Sequence, residues 1–277
     1  MKKKILFTGA SGFIGLELLK KLVNLKAYKI YCTINQKKIN QKKITCLNVD
    51  LLNHTKLRKI VKKINPDILI HFAAFVNPGE NEKNKIKSKK INYHVTKNLS
   101  KIINNDCHVI FLSTDKVYKN SKSIFKENDI AQSYAEYARN KIKSEKLIEK
   151  IFLKHHIFRL PIVHKDGDSR SNSFIDKMIL KMKMNEKVIV AKNIYRSFIY
   201  INDLVKCIIK SLNDKNYGIY NLGTKKISYF SRLKQVASKI KLPINKNLVG
   251  EKNLNIKPKV LVLNSNKAKK IFKIMFS

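Results

Sequence analysis

The chain has 277 residues, 44% of them hydrophobic, which is enough for one large domain or for one domain with a smaller lobe. No run of about 18 apolar residues occurs, so the sequence predicts no membrane insertion. The four cysteines form no CxxC pair, which argues against zinc and disulfides and favours the cytoplasm, and the formal net charge is +40.

Through residue 161, short apolar runs alternate with amphipathic stretches, which is the pattern of a parallel sheet covered by helices. The predicted strands are Lys4–Thr8, Lys29–Thr33, Thr45–Asn48, Asp67–Phe72, His108–Ser113 and Ile157–Leu160. The predicted helices are Phe13–Leu25, His54–Ile64, Ile91–Ile103 and Ser133–Lys154.

After Pro161 the pattern changes to polar turns, short strands and separate helices. Predicted helices there are Phe174–Met184, Asp203–Leu212, Ser228–Ile240 and Ser265–Phe272, and predicted strands are Val188–Val190, Phe198–Ile201 and Gly218–Leu222. We expect residues 1–161 to form a cofactor-binding domain and 162–277 mostly a substrate-binding lobe. Segments from about 198 to 222 would return to the first domain.

A glycine-rich loop follows the first predicted strand and opens the first predicted helix. Only 8 residues of the chain are Gly, yet three of them fall within seven positions. In a phosphate-binding loop the first glycine makes the turn, the second lets the backbone approach a pyrophosphate, and the third lets helix and strand pack closely. We therefore predict a Rossmann-type, doubly wound α/β fold, with a dinucleotide held by Gly9, Ser11, Gly12, Phe13, Ile14 and Gly15. The basic, apolar start is interpreted as part of this fold and not as a signal peptide.

The cofactor's ribose is usually bound about 20 residues beyond the glycine loop, which is near Asn35. An NAD enzyme usually has Asp or Glu there to bind the 2′-hydroxyl. Here the segment has no acid and contains Lys37 and Lys38. The sequence therefore favours NADP, with NAD left open.

The GxxGxxG spacing resembles the short-chain dehydrogenase/reductase superfamily, in its extended branch that acts on nucleotide sugars. Later segments match in order across nearly the whole chain, and the run from Ser113 to Tyr118 resembles the strand end of dTDP-4-dehydrorhamnose reductases. The resemblance implies further cofactor contacts at Asp50, Leu51, Ala73, Ala74, Asn92, Ser113, Leu160 and Pro161. It implies substrate contacts at Thr114, Asp115 and Arg196.

In this superfamily the catalytic pair is Tyr-x-x-x-Lys. Three such patterns occur, beginning at Tyr93, Tyr118 and Tyr137, and a chain this rich in Lys should contain about two by chance. Position separates them, because the family's pair lies on the helix that follows the Ser-Thr-Asp strand. That placement selects Tyr137 with Lys141, both of which would also contact the cofactor.

The resemblance also implies a mechanism. Lys141 would lower the pKa of Tyr137, which would donate a proton to a ketone oxygen. Thr114, or less favourably Ser113, would bind the same oxygen. Ala138 and Asn140 depart from the usual Gly and Ser or Thr at their positions, but neither supplies the proton.

The expected activity is NAD(P)H-dependent reduction of a nucleotide-linked 4-keto-6-deoxysugar, of the dTDP-4-dehydrorhamnose reductase type, for surface polysaccharide synthesis. Lys116 after Asp115 keeps an alternative open, since some nucleotide-sugar 4,6-dehydratases have Lys there. An epimerase with tightly bound NAD and a non-catalytic, NADP-binding regulatory subunit also stay open.

Two further classes of partner, nucleic acid and metal ions, depend on the charge of the chain and on the spacing of its histidines. The excess charge is almost all Lys, spread along the chain beside abundant Asn and Ile, which indicates codon bias more than nucleic-acid binding. The seven histidines show no metal-binding spacing, so no metal is expected. The sequence does not determine the oligomeric state, and a homodimer stays open.

Overall fold

The structure is a computed structural model that describes residues 1–119, 124–244, 248–251 and 260–276. Its α-helices are α1 (Phe13–Leu22), α2 (His54–Ile64), α3 (Pro78–Lys83), α4 (Lys85–Lys89), α5 (Val95–Ile102), α6 (Glu136–Ile151), α7 (Phe174–Lys183), α8 (Ile201–Ser211), α9 (Tyr229–Lys239) and α10 (Asn266–Phe272). A π-turn (Lys90–His94) joins α4 to α5, and a 3-10 turn covers Asp115–Val117.

The strands are β1 (Lys3–Thr8), β2 (Tyr28–Ile34), β3 (Thr45–Asn48), β4 (Ile68–His71), β5 (His108–Thr114), β6 (Ile124–Phe125), β7 (His155–Leu160), β8 (Ile162–His164), β9 (Val188–Ala191), β10 (Tyr195–Arg196), β11 (Phe198–Tyr200), β12 (Gly218–Asn221), β13 (Ile227–Ser228), β14 (Leu248–Glu251) and β15 (Val260–Leu263).

The chain divides into two compact units. The first contains Met1–Lys119, Ile130–Arg159 and Val205–Tyr220. The second contains the described residues of Asn120–Asp129, Leu160–Leu204 and Asn221–Ser277.

The largest sheet has seven strands in the order β12-β7-β5-β4-β1-β2-β3. Neighbours from β5 to β3 run parallel, and Ile5 on β1 pairs with Ile30 on one side and Ile68 on the other. The strand order reverses between β1 and β4, which is the doubly wound arrangement. This confirms the predicted Rossmann-type fold, in which ligands generally bind beyond the carboxyl ends of the strands at the reversal, here β1 and β4.

The helices of the first unit bury their apolar faces against this sheet. On α2, Leu57, Val61 and Ile64 recur at helical spacing and are buried with β1, β4 and β5 side chains. Asn53 begins the helix by accepting a hydrogen bond from the Lys56 N–H at 3.0 Å. Burial of this stripe, more than helix propensity, stabilises α2 on the sheet.

Several predicted boundaries are wrong. The first helix ends at Leu22 and not at Leu25, because the chain closes into tight turns with Leu25 N–H donating to the Leu22 oxygen at 2.9 Å. The single helix predicted over Ile91–Ile103 is the end of a longer helical region that begins at Asn77, which caps α3 before Pro78. The long helix predicted over Ser133–Lys154 spans Glu136–Ile151.

The second unit contains three small sheets, β13-β10-β15-β6, β11-β8 and β14-β9. Its core contains Ile175 and Ile179 of α7, Leu233 and Val236 of α9, and Phe198 of β11. Most of its strands were missed, because runs of two to four residues leave too little periodicity to detect. No helix among the described residues has the length and apolarity needed to cross a bilayer.

Candidate active site

The loop between β1 and α1 places Gly9 and Gly15 where a side chain has no room. Gly9 has a φ of +78°, and a Cβ there would lie 2.5 Å from the backbone nitrogen of Ala73. A Cβ on Gly15 would overlap the backbone of Gly9 and Ala10. The loop closes through a hydrogen bond from the Gly12 N–H to the Gly9 oxygen at 3.1 Å. These contacts hold α1 close to the ends of β1 and β4.

The first turn of α1 is suited to an anion. Gly12 begins the helix without a side-chain cap, and no acidic residue lies in the first turn. Ser11, Phe13 and Ile14 are half-buried beside it. Uncapped N–H groups and the positive end of the helix dipole favour a phosphate at such a terminus. The glycine cradle and the start of α1 therefore fit a dinucleotide pyrophosphate.

The predicted adenosine contacts follow β2 and β3. Asn35 and Lys37 are exposed just after β2, and the Val49 N–H donates to the Ile34 oxygen at 2.9 Å, which keeps the ends of β2 and β3 together. Asp50 is exposed after β3, and its Oδ1 accepts a hydrogen bond from the Leu52 N–H at 2.9 Å. Leu51 packs on the core.

The loop after β4 contains Ala73 and Ala74, both half-buried. Ala73 N–H donates to Thr8 Oγ1 at 3.4 Å. Asn92, on the π-turn, accepts from the Phe75 N–H at 2.8 Å and donates to the Phe75 oxygen at 3.0 Å. Asn92 thus holds this loop in place through its side-chain amide, and the cofactor contact that the resemblance implied for Asn92 stays a prediction.

Ser113, Thr114 and Asp115 lie at the end of β5 and are all buried. Thr114 Oγ1 accepts from the Lys116 N–H at 3.3 Å and donates to Asp115 Oδ1 at 3.4 Å. Ser113 Oγ is buried and has no hydrogen-bond partner among the described residues. A buried hydroxyl without a partner is costly, so this position suits a bound polar group.

Tyr137 and Lys141 lie one turn apart on α6. Lys141 is 2% exposed, and its Nζ donates to the Leu112 oxygen at 2.8 Å. The same Nζ is 4.3 Å from the Phe111 ring centre and 5.9 Å from that of Tyr137. The structure therefore places the ammonium between β5 and the tyrosine.

The pKa values of Lys141 and Tyr137 differ from the expected ones. Burial lowers the pKa of Lys141 to about 7, against a smaller opposing effect of Glu145. Burial, and then the nearby Asp115 carboxylate, raise the pKa of Tyr137 above its usual value. The expectation of a lowered Tyr137 pKa is wrong for the protein alone, because desolvation and Asp115 outweigh a distant ammonium.

A directed hydrogen-bond chain runs behind the site. Ser144 Oγ donates its single proton to the Asn92 backbone oxygen at 2.8 Å. Its contact with Thr96 Oγ1 at 3.3 Å is therefore a hydrogen bond that Thr96 donates. His71 Nε2 then donates to Thr96 at 3.0 Å, and His71 Nδ1 accepts from Thr8 at 2.7 Å. Burial, with the Lys141 charge, lowers the pKa of His71 to about 3, so His71 is neutral.

A second buried cluster connects the helices around the site. Asn140 Nδ2 donates to Ser88 Oγ at 3.1 Å and to Glu136 Oε1 at 2.9 Å, and Ser88 donates to Asn81. Asn81 donates in turn to the Phe75 oxygen at 2.8 Å. No sequence pattern singles out Asn81, Ser88 or His71 as part of the site. The Asn-Pro pair at Asn77 is the sequence sign of the helix that contains Asn81. This sign is hard to recognise because Asn is abundant throughout the chain.

The remaining predicted residues lie elsewhere. Leu160, Pro161 and Arg196 belong to the second unit, where Arg196 is 8% exposed and donates to the Tyr195 oxygen at 2.8 Å. Among the rival tyrosine patterns, Tyr93 is on the π-turn, and the Lys122 partner of Tyr118 lies outside the described residues. The described residues contain no group of three or more His, Cys, Asp or Glu placed to hold a metal.

The fold is that of the extended short-chain dehydrogenases/reductases. Residues 2–274 match the family described as the RmlD substrate binding domain, and the chain belongs to that family.

Solved structures share this fold. The chain is 25% identical to a hypothetical dTDP-4-dehydrorhamnose reductase from Sulfolobus tokodaii, with a TM-score of 0.83 and coverage of 100% of this chain and 96% of that one. It is 23% identical to dTDP-4-dehydrorhamnose reductase from Bacillus anthracis in complex with NADP, with a TM-score of 0.82 and coverage of 98% and 93%.

Among curated relatives, methionine adenosyltransferase 2 subunit beta from Bos taurus is 21% identical over 186 residues. That match covers 67% of this chain and 54% of the relative. The chain thus spans about half the length of such relatives.

Proposed function

We propose that the protein reduces a nucleotide-linked 4-keto-6-deoxysugar with NADPH, in the manner of dTDP-4-dehydrorhamnose reductases, for surface polysaccharide synthesis. The observation that carries this proposal is the placement of Tyr137 and Lys141 on one face of α6, against the end of β5. The glycine cradle at the end of β1 supplies the matching dinucleotide site. The names of the similar reductases support the same reaction class.

Each residue of the proposed site has a separate role in the reaction. When bound, the reduced nicotinamide supplies a hydride. Tyr137 donates the proton to the ketone oxygen, and its hydroxyl becomes acidic enough only when the neighbouring Lys141 is charged. Thr114 and the unpartnered Ser113 hydroxyl bind that oxygen. In the second unit, Arg196 binds the diphosphate of the sugar nucleotide, and residues 162–277 form most of the sugar site.

The cofactor preference rests on the segment after β2. Asn35 lacks the second acceptor oxygen and the charge with which a carboxylate binds both hydroxyls of the ribose diol of NAD, and Lys37 offers a positive charge to the 2′-phosphate of NADP. We therefore propose NADP as the preferred cofactor. The free state of all four cysteines supports a place in the reducing cytoplasm. A homodimer is retained as the simplest assembly to test by sedimentation.

The deciding experiment is incubation with a panel of 4-keto nucleotide sugars and NADPH, following nicotinamide absorbance. We expect oxidation of NADPH with at least one sugar. Tyr137→Phe should bind NADPH as the parent does and lose turnover by about a thousandfold or more. Ala138→Ser, a change at the neighbouring buried position, is the control and should keep turnover. Retained activity in Tyr137→Phe would refute the assignment.

A second candidate is dehydration or epimerisation. It is favoured by Asp115, a buried carboxylate close enough to Tyr137 to raise its pKa, followed by Lys116. Such an enzyme would retain tightly bound NAD and would consume no NADPH. The likeness to methionine adenosyltransferase 2 subunit beta supports a third reading as a regulatory subunit. That reading predicts NADP binding without turnover of any sugar in the panel.

A further inference from the structure

One exposed face of α4, the π-turn and α5 is rich in basic residues. Residues 83–105 contain seven lysines and no aspartate or glutamate. The basic side chains recur at intervals of three and four and are exposed at Lys87, Lys90, His94, Lys97 and Lys101. Side chains at this spacing lie along one helix face. The helical region therefore presents a single positive stripe.

A second stripe lies on α6. Its exposed basic residues are Arg139, Lys143, Lys146 and Lys150, again at intervals of four and three. Of the three glutamates on α6, Glu136 is bonded to Arg139 and Glu145 is buried against Arg159. Glu149 is therefore the one exposed carboxylate of α6 that is not bonded to an arginine, whereas α6 has three exposed lysines.

The two stripes adjoin. α6 packs against α4, the π-turn and α5. His94 lies where they meet. Burial lowers the pKa of His94 most, and the charges of Lys89, Lys97 and Lys90 from its own helical region and of Lys143 from α6 lower it further. The charges of the two stripes are therefore within electrostatic reach of one another.

Within the described ranges, the lysines of the two stripes are not compensated by ion pairs with neighbours, whereas Arg139 is paired with Glu136. Among the residues that the structure describes, ion pairs form at other basic residues, such as Lys20, Lys154 and Arg159, and at none of the stripe lysines. From Lys90 to Lys101 and from Arg139 to Lys150 each stripe is about 16 Å long, at 1.5 Å per residue. The surface formed by both stripes is called the α5–α6 basic face.

We propose that the α5–α6 basic face binds the phosphate backbone of nucleic acid without reading base sequence. A duplex segment of about 16 Å presents about ten phosphate charges, which complements this face. Lysine is a flexible point charge and lacks the planar fork with which arginine reads guanine, so sequence preference is not expected. Two copies of the face would repel each other. The binding is independent of the proposed reduction, since it uses none of the residues of that site.

In the sequence, the lysines are spread along the chain, which favours codon bias over nucleic-acid binding as the explanation of the excess charge. The fold changes that view, because lysines from 83–101 and from 143–150 come together on neighbouring helices. Codon bias alone predicts that equal numbers of lysines on other helices contribute equally to binding.

That difference can be tested by fluorescence anisotropy with a labelled, mixed-sequence DNA duplex of about 30 base pairs, titrated over a range of KCl. The test variant replaces Lys90, Lys97, Lys143 and Lys146 by Gln. The matched control replaces Lys56, Lys59, Lys62 and Lys63 by Gln, which removes the same charge from exposed positions of α2. Gln and Lys have similar helix propensities, so both variants should fold.

We expect the slope of log Kd against log [KCl] to fall by about 3 to 4 in the test variant and by less than about 1 in the control. Equal losses in the two variants would overturn the proposal, since net charge alone would then explain binding. It would also fail if the parent bound anionic phosphatidylserine vesicles but no duplex. Self-association of the parent that the test variant abolishes would assign the face to a second copy instead.

Discussion

Glu145 Oε2 lies 2.7 Å from Arg159 Nη2, and both side chains are less than 5% exposed. Arg159 also donates to the Tyr118 hydroxyl at 2.7 Å. The pair connects α6, one turn beyond Lys141, to β7 and to the turn that follows β5. It therefore holds the helix that bears the tyrosine against the strand that bears Ser113 and Thr114.

Removing one member of this pair should be costly. Arg159→Met leaves a buried carboxylate without its partner, and we expect the free energy of unfolding to fall by about 3–5 kcal/mol in urea titrations. The double variant with Glu145→Met should recover part of that loss. Asp106→Asn is the control, because the exposed Lys154–Asp106 pair should contribute less than about 1 kcal/mol. A loss in Arg159→Met as small as in this control would show that the buried pair is dispensable.

Gly9→Ala should abolish tight cofactor binding while Gly79→Ala does not. At Gly9 a methyl group meets the Ala73 backbone at 2.5 Å and the φ is unfavourable for other residues, whereas at Gly79 the nearest atom is 3.6 Å away. We expect NADPH binding, measured by nucleotide fluorescence, to weaken by at least about tenfold, or 1.4 kcal/mol, in Gly9→Ala. Unchanged affinity would mean that the loop does not contact the dinucleotide.

Lys141 should make stability depend on pH. Its pKa is lowered to about 7 in the folded protein, so above that pH the unfolded chain holds the proton that the folded protein has lost. The free energy of unfolding should therefore rise with pH from about 7 towards the usual lysine value. Between about pH 7 and 8.5, Lys141→Met should reduce this rise by up to about 1 kcal/mol per pH unit.

The exposed Lys143→Met serves as the control for that measurement and should keep the parental slope. The range stops near pH 8.5 because burial raises the pKa of the Cys32 and Cys107 thiols to about 12, which lowers stability at higher pH. If the two lysine variants had the same slope, Lys141 would not be the titrating group.

The cofactor preference should respond to one residue. Asn35→Asp introduces a carboxylate that binds the ribose diol of NAD and repels the 2′-phosphate of NADP. We expect the ratio of kcat/KM for NADH to that for NADPH to increase by about tenfold or more. Asn40→Asp, in the same segment and of the same charge, should leave the ratio near the parental value. A similar change in both variants would point to general charge and not to position.

Sequence patterns predicted the large sheet well because its strands are long apolar runs separated by amphipathic helices. Gly9, Gly12 and Gly15 stood out against a chain that is poor in glycine, and position alone separated Tyr137 from two rival tyrosines. Each of these features is defined by residues that are close together in the sequence, so sequence patterns are enough to identify it.

What escaped prediction depends on distant contacts. Asn140 lies 52 residues beyond Ser88 and meets it, and through it Asn81, only after folding, so no spacing rule identifies this cluster. The raised pKa of Tyr137 likewise comes from burial and from Asp115, neither of which can be read from the Tyr-x-x-x-Lys pattern. The short strands of the second unit pair with partners far away in the chain, and only that pairing defines them.

One consequence of the strand order concerns synthesis of the chain. β12, at one edge of the seven-stranded sheet, follows its neighbour β7 by roughly sixty residues. At about 5–20 residues per second, a ribosome needs about 3–12 s to make that segment. During this interval β7 is an open edge with unpaired N–H and C=O groups, which is a template for aggregation. The nascent chain is therefore most vulnerable between the completion of β7 and the arrival of β12.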